Sequence, residues 1–202
     1  MTSENSYTYN LRNQRSIYGF IDKQFEQHAK LLPVRVDLGY KSNETVTNMV
    51  EYPLNYHLPH DYLTKEDILN NWEILLNKLR WNHRSLLKEL VGYIWKIEYG
   101  EDKGIHYHLM LFFNGNRVQK DYYYADELGK LWLDITGGFG TYFNCSADKD
   151  NRYGDRNCLQ VTHRNDDRNN LYNAASYLTK QDCNEDIARM LSSGRVFGRS
   201  SV

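Results

Sequence analysis

The sequence predicts an α+β, ferredoxin-like (RRM-like) domain: an antiparallel sheet with helices on one face, in the order β-α-β-β-α-β. A C-terminal tyrosine-bearing helix follows it and an N-terminal helical arm precedes it. Three observations predict this. Two segments with apolar residues three and four apart, one opening at Thr64 and one over 121–135, flank two adjacent strand-like runs at 91–98 and 105–113. A run of period two precedes the first helix, and a short apolar run at 158–163 follows the second. At 202 residues, 41% of them apolar, the chain is long enough to bury one substantial core.

Taken in order, residues 14–31 set Ile17, Ile21, Phe25 and His28 near helical spacing, and Pro33 is expected to stop that helix. In 34–40, Val34, Val36 and Leu38 alternate with Arg35, Asp37 and Gly39, which predicts the first strand. Residues 41–63 mix prolines with aromatics and are expected to form an irregular lid or packed loop. Thr64 followed by Glu66 and Asp67 has the chemistry of a helix start. From there Ile68, Leu69, Trp72, Leu75, Leu76 and Leu79 form one apolar face. The tract from Gly100 to Gly104 is a turn between the second and third strands, and Asn114-Gly115-Asn116 ends the third. The helix over 121–135 is expected to bury Tyr124, Leu128, Leu131 and Trp132. After a glycine-rich stretch at 137–140, residues 141–157 read as a polar loop, 158–163 as the last strand, and Asn165 to about Lys180 as the final helix. This divides the chain into an arm (1–32), a domain (33–183) and a tail (184–202).

Composition excludes several classes. No apolar run approaches the length of a membrane span, and the first ten residues lack the basic and apolar regions of a secretory leader. The 25 Lys and Arg against 26 Asp and Glu disfavour a protein that coats duplex nucleic acid, but not one that holds a strand at one site. Cys145, Cys158 and Cys183 are few and widely spaced, as expected of reduced thiols in a cytoplasmic protein.

Two groups of residues carry chemistry. His106 and His108 are two apart on the third strand and so share a face. With Gly100 opposite Gly104 across the turn, Glu98 falls opposite His106, about 5 Å away at Cβ. Two imidazoles and a carboxylate, with positions left open, suit Mg²⁺ or Mn²⁺. The pair alone would equally serve as sheet-surface histidines; the register of Glu98 is what favours a metal. Lys96 shares that face opposite His108, where a cation beside a metal must contact a phosphate or bend away.

The second group is Tyr177 and Lys180, three apart on the last helix. An ammonium beside a phenol eases phenolate formation, and a phenolate can attack a phosphodiester. The same spacing joins Tyr62 to Lys65 and Tyr93 to Lys96, but only Tyr177 follows the whole sheet on a helix. Tyr172 lies about 140° round that helix, so one nucleophile is expected rather than a pair.

Together GIHYHLMLF at 104–112, Glu98, and NAASYLTK at 173–180 resemble the HUH (His-hydrophobe-His) single-tyrosine endonuclease superfamily. Within it, the stretch looks most like filamentous-phage (inovirus) replication initiators of the gene II type and their prophage relatives. Tyr107 in the hydrophobe position departs mildly from the pattern.

The resemblance implies a metal at Glu98, His106 and His108. It implies attack by Tyr177 to give a 5′-phosphotyrosine and a free 3′-OH, with Lys180 assisting, and initiation of rolling-circle replication on a single-stranded or hairpin DNA origin in the host cytoplasm. Host helicase or replication proteins would be partners. His163, Arg164 and Arg168, with Lys96, are the candidate nucleic-acid contacts, and Tyr122-Tyr123-Tyr124 could stack bases or form a helix face. The alternatives are a non-catalytic ferredoxin-like regulator, an HUH transposase or relaxase, and a metal-dependent hydrolase of a small substrate.

Overall fold

A computed structural model describes residues 8–41, 63–81, 85–147 and 161–201. The connection expected over 41–63 falls outside these except at its ends, as do His57, His60, Tyr62, Cys158 and the second part of the 141–157 loop. Helix α1 (Leu11–Gln27) starts at Asn10, whose side chain accepts from the Asn13 N–H. Strand β1 is Lys30–Tyr40. Helix α2 (Lys65–Trp81) opens on a reciprocal cap, Asp67 N–H donating to Thr64 Oγ1 while Thr64 N–H and hydroxyl donate to Asp67. Strands β2 (Leu90–Gly100) and β3 (Gly104–Asn114) form the expected hairpin. Gly104, at φ +62°, takes a turn conformation that L side chains rarely adopt. Helix α3 (Asp121–Ile135), β4 (Gly140–Asn144), β5 (Thr162–His163), α4 (Asn169–Ser176), α5 (Glu185–Leu191) and β6 (Phe197–Arg199) complete the chain.

The sheet runs β4-β1-β3-β2-β6, antiparallel throughout, with β5 paired to the start of β1. This is the mixed α+β, ferredoxin-like arrangement expected, extended by one strand at the β2 edge. Alternation sorts the faces. Val34, Val36 and Leu38 of β1, Trp95 and Ile97 of β2, and Tyr107, Leu109 and Leu111 of β3 are buried with Trp72 and Leu75 of α2 and Leu128 and Trp132 of α3.

Several expectations need correction. Pro33 does not stop α1; it lies inside β1, opposite Phe112. It is tolerated there because β5 covers β1 only at Lys30–Leu31 and β4 only from Val36 onward, so no strand among the described residues needs its missing N–H on that side. The fourth strand of the core is Gly140–Asn144, within the stretch read as glycine-rich turn and polar loop. Of the run read as the last strand, the described residues Thr162–His163 pair with β1. The face opposite α2 and α3 is not bare. Ile17, Phe20, Ile21 and Phe25 of α1 and Leu171, Ala175 and Leu178 cover Leu31, Ile94, Met110 and Phe112 there. The arm and the tail therefore join one structure with the sheet, the tail through α5 and β6.

Candidate metal centre and tyrosine turn

The second core ends where the side chains of β1, β2 and β3 become polar. Beyond Met110 the same face of β3 carries His108 and then His106; β2 carries Lys96 and Glu98, and β1 carries Arg35 and Asp37. The register pairs Glu98 with His106, Lys96 with His108 and Asp37 with His108, as expected for the hairpin.

The side-chain contacts decide what this row can do. Glu98 Oε2 lies 3.2 Å from His108 Nε2 and 3.5 Å from His106 Nε2. Candidate ligand atoms of the three residues all lie within 4.8 Å of one another, so the cluster can hold a metal ion. The other ring nitrogens are fixed by acceptors. His108 Nδ1 is 2.7 Å from Asp37 Oδ1, and His106 Nδ1 is 3.1 Å from the Gly104 carbonyl. A carbonyl and a carboxylate only accept, so each Nδ1 carries the proton. With the rings neutral, two Nε2 lone pairs face a carboxylate oxygen, an arrangement that a proton or a cation among them stabilises. The donor set thus fits a cation on chemical grounds.

Charge is balanced around it. Arg35, 4% exposed, reaches Asp37 Oδ1 at 3.3 Å. Burial resists the Asp37 charge, but Arg35 and His108 overcome it and hold the carboxyl far below the usual carboxylate range. The same holds for Glu98, where contacts from His106, His108 and Lys96 outweigh burial. Burial disfavours charge on His108, yet Asp37 and Glu98 together raise its pKa. Lys96 does bend away: its Nζ sits 2.7 Å from Glu98 Oε1 and bonds the Lys180 carbonyl, which leaves Oε2 to the histidines.

Tyr177 reaches this cluster from α4. It is the first residue of a 3-10 turn, Tyr177–Thr179, that finishes the helix. Its ring meets His108 edge-on, centroids 5.7 Å apart at 88°. The Arg35 guanidinium lies 4.7 Å from the ring centroid and the Lys180 ammonium 5.9 Å. The turn is clamped from the other side by the segment before α1. Asn10 N–H donates to the Thr179 carbonyl and Gln181 N–H to the Thr8 carbonyl, both at 2.8 Å. Cluster and tyrosine open on one cleft of about 1060 Å³, walled by Thr141, Tyr142 and Phe143 of β4 and rimmed by Lys41, Asp102 and Lys103.

Tyr172 points elsewhere: its hydroxyl donates to Asp22 at 2.5 Å and its ring packs on Tyr18. The candidate nucleic-acid residues are not in the cleft either. Arg168 binds Asp22 and stacks over Phe25, Arg164 donates to the Glu26 carbonyl, and His163 sits exposed opposite Lys30. All three lie near the far end of α4, which is about 12 Å long. Tyr122 and Tyr123 are about half exposed on α3.

Sequence reasoning missed Asp37 and Arg35. The signal was present: both fall on the polar side of the β1 alternation. Recognising them required knowing that β1, not only β2, pairs with the histidine strand.

The model of the YagK/YfjJ C-terminal domain family matches residues 2–200, and the chain belongs to that family. No curated protein and no solved structure gives a significant match.

Proposed function

We propose that the protein is a metal-dependent endonuclease of HUH type. It would nick and rejoin single-stranded DNA at a specific sequence through a 5′-phosphotyrosine, and so initiate rolling-circle replication of a phage or mobile element. The observation that carries this reading is the position of Tyr177. It stands edge-on to His108 on the same cleft as a His-His-Glu cluster.

Glu98, His106 and His108 would hold Mg²⁺ or Mn²⁺. When bound, such an ion polarises a phosphate and offsets developing charge. The remaining roles belong to the chain. Asp37 keeps His108 in the tautomer that presents Nε2. Arg35 and Lys180 lower the free energy of negative charge on the Tyr177 oxygen. That oxygen forms a bond to phosphorus as the bond from phosphorus to the 3′ oxygen breaks. The phenol proton passes to solvent, and the leaving 3′ oxygen takes up a proton to become a free 3′-OH. The energy kept in the link allows the strand to be rejoined later. A DNA origin and host replication proteins in the bacterial cytoplasm are the partners this reading implies.

Covalent trapping tests it. The full chain would be incubated with Mn²⁺ and a pool of single-stranded hairpin oligonucleotides, then run on a denaturing gel. The expected result is a shifted band that chelator abolishes, that Tyr177→Phe abolishes and that Tyr172→Phe leaves intact. A band that survives Tyr177→Phe would overturn the assignment of the nucleophile. Metal-dependent cleavage with no covalent species would support a hydrolase instead, and binding without cleavage a regulator.

A further inference from the structure

We propose that a second pocket, behind the tyrosine turn, binds a phosphate group, supplied by the strand that occupies the cleft. The strand as source rests on the endonuclease reading; the phosphate chemistry does not. The pocket has a volume of about 240 Å³. Five cationic residues line it, Arg12, Lys96, Lys180, Arg189 and Arg195; Lys96 is already paired with Glu98 of the cleft, and among the described lining residues the one carboxylate is Glu185. That is a local excess of positive charge in a chain whose formal net charge is -1.

The carboxylate is already engaged by Arg189. Arg195 is held in place, its Nε donating to the Phe197 carbonyl at 3.1 Å and its guanidinium stacked on Trp95. Arg12 lies in the first turn of α1, which contains no acidic residue. Cations gathered this closely repel one another, and an anion relieves that repulsion. Arginine forks suit phosphate oxygens in particular. The volume is below that of most small-molecule pockets, which favours a compact anionic group over a whole nucleoside.

The pocket and the cleft stand back to back. Tyr177 borders the cleft, while Leu178, Thr179 and Lys180 border the pocket; Glu98 borders the cleft, while Lys96 borders the pocket. A strand crossing the Tyr177–Lys180 turn would pass from one to the other. A phosphate held behind the turn would fix the position of the one in front, which is the role of phosphate contacts in general.

The test is metal-free, so it does not depend on cleavage. Full-length wild type, Arg12→Ala, Arg12→Glu and Arg15→Ala would be titrated with a fluorescent single-stranded oligothymidylate across a salt series, and separately with inorganic phosphate. Arg15 is exposed on the same helix but does not line the pocket, so it controls for loss of one charge. Arg12→Ala should weaken oligonucleotide binding about tenfold. It should also reduce the salt slope by about 0.7, the value for one single-strand phosphate contact. Arg12→Glu should weaken binding further, and Arg15→Ala should change little.

Equal losses for Arg12→Ala and Arg15→Ala would overturn the proposal, as would wild type that binds neither probe. Arg12-dependent binding of inorganic phosphate with unchanged oligonucleotide affinity would overturn the strand as the source. Failure of covalent trapping with these isotherms intact would count against the nuclease and not against the pocket.

Discussion

Replacing Asp37 by Asn isolates what the second carboxylate contributes to the centre. The substitution keeps shape and keeps an acceptor: Arg35 Nε, 3.3 Å away, and His108 Nδ1, 2.7 Å away, both hold the remaining carbonyl oxygen in place of Oδ1. The charge is lost, and the other carboxylate oxygen becomes an amide donor. The His108 imidazole becomes less basic and its tautomer less firmly set, and changes of this kind in metal sites weaken binding about 10–100-fold. That range corresponds to about 1.4–2.8 kcal/mol. The assay is Mn²⁺ titration of the full chain by isothermal calorimetry or by the electron paramagnetic resonance signal of free Mn²⁺. Asp102→Asn, which removes a carboxylate from the rim of the same cleft, is the control, and His106→Ala should remove most of the binding. Thermal melting in chelator separates any loss of folding, since Arg35 is left buried beside a neutral partner. Wild-type affinity in Asp37→Asn, or an equal loss in Asp102→Asn, would refute the reasoning.

Other substitutions test how the sheet supports the site. The Tyr107 hydroxyl is buried with no well-formed hydrogen bond among the described residues, its nearest polar neighbour being the equally buried Tyr40 hydroxyl, while its ring stacks on Trp72 with centroids 4.5 Å apart. Tyr107→Phe should therefore leave stability unchanged or raise it by about 1–3 kcal/mol, read by denaturant unfolding; a clear loss would reveal a partner for the hydroxyl. Gly129 of α3 lies under the Tyr142 ring, which its own hydroxyl ties to Asp126 at 2.7 Å. Gly129→Ala should cost about 1–3 kcal/mol and disturb the β4 wall of the cleft. Gly19→Ala on α1 meets open space and should stabilise by about 0.8–1 kcal/mol. A thermal melt of both glycine variants checks the opposite signs.

The hairpin half of the centre was legible from local information. Gly100 and Gly104 bound a short turn, a short turn sets the register, and alternation then places Glu98, His106 and His108 on one face. Tyr177 was legible by its place after the sheet, although the helix gives way to a tighter turn just where the tyrosine begins. The fourth strand was not legible. Gly140–Asn144 has no alternating apolar run, and only its pairing with Val36–Tyr40 makes it a strand. The role of Pro33 was misjudged for a related reason, because the same residue stops a helix or sits in a strand according to what lies beside it.

By itself, then, the sequence determined the α+β class, the hairpin register and the residue types that can bind a cation, since these follow from periodicity, turn chemistry and spacing along one chain segment. Tertiary structure decided the rest. It brought β1 beside β3, so that Asp37 and Arg35 stand against His108 and Tyr177 from more than seventy positions away in the chain. It laid α1 and α4 over part of the open face, confining the polar residues to one end. It clamped the tyrosine turn with Thr8 and Asn10. Contacts of this kind depend on which surfaces exclude water together once the chain has collapsed, and no local pattern records that choice.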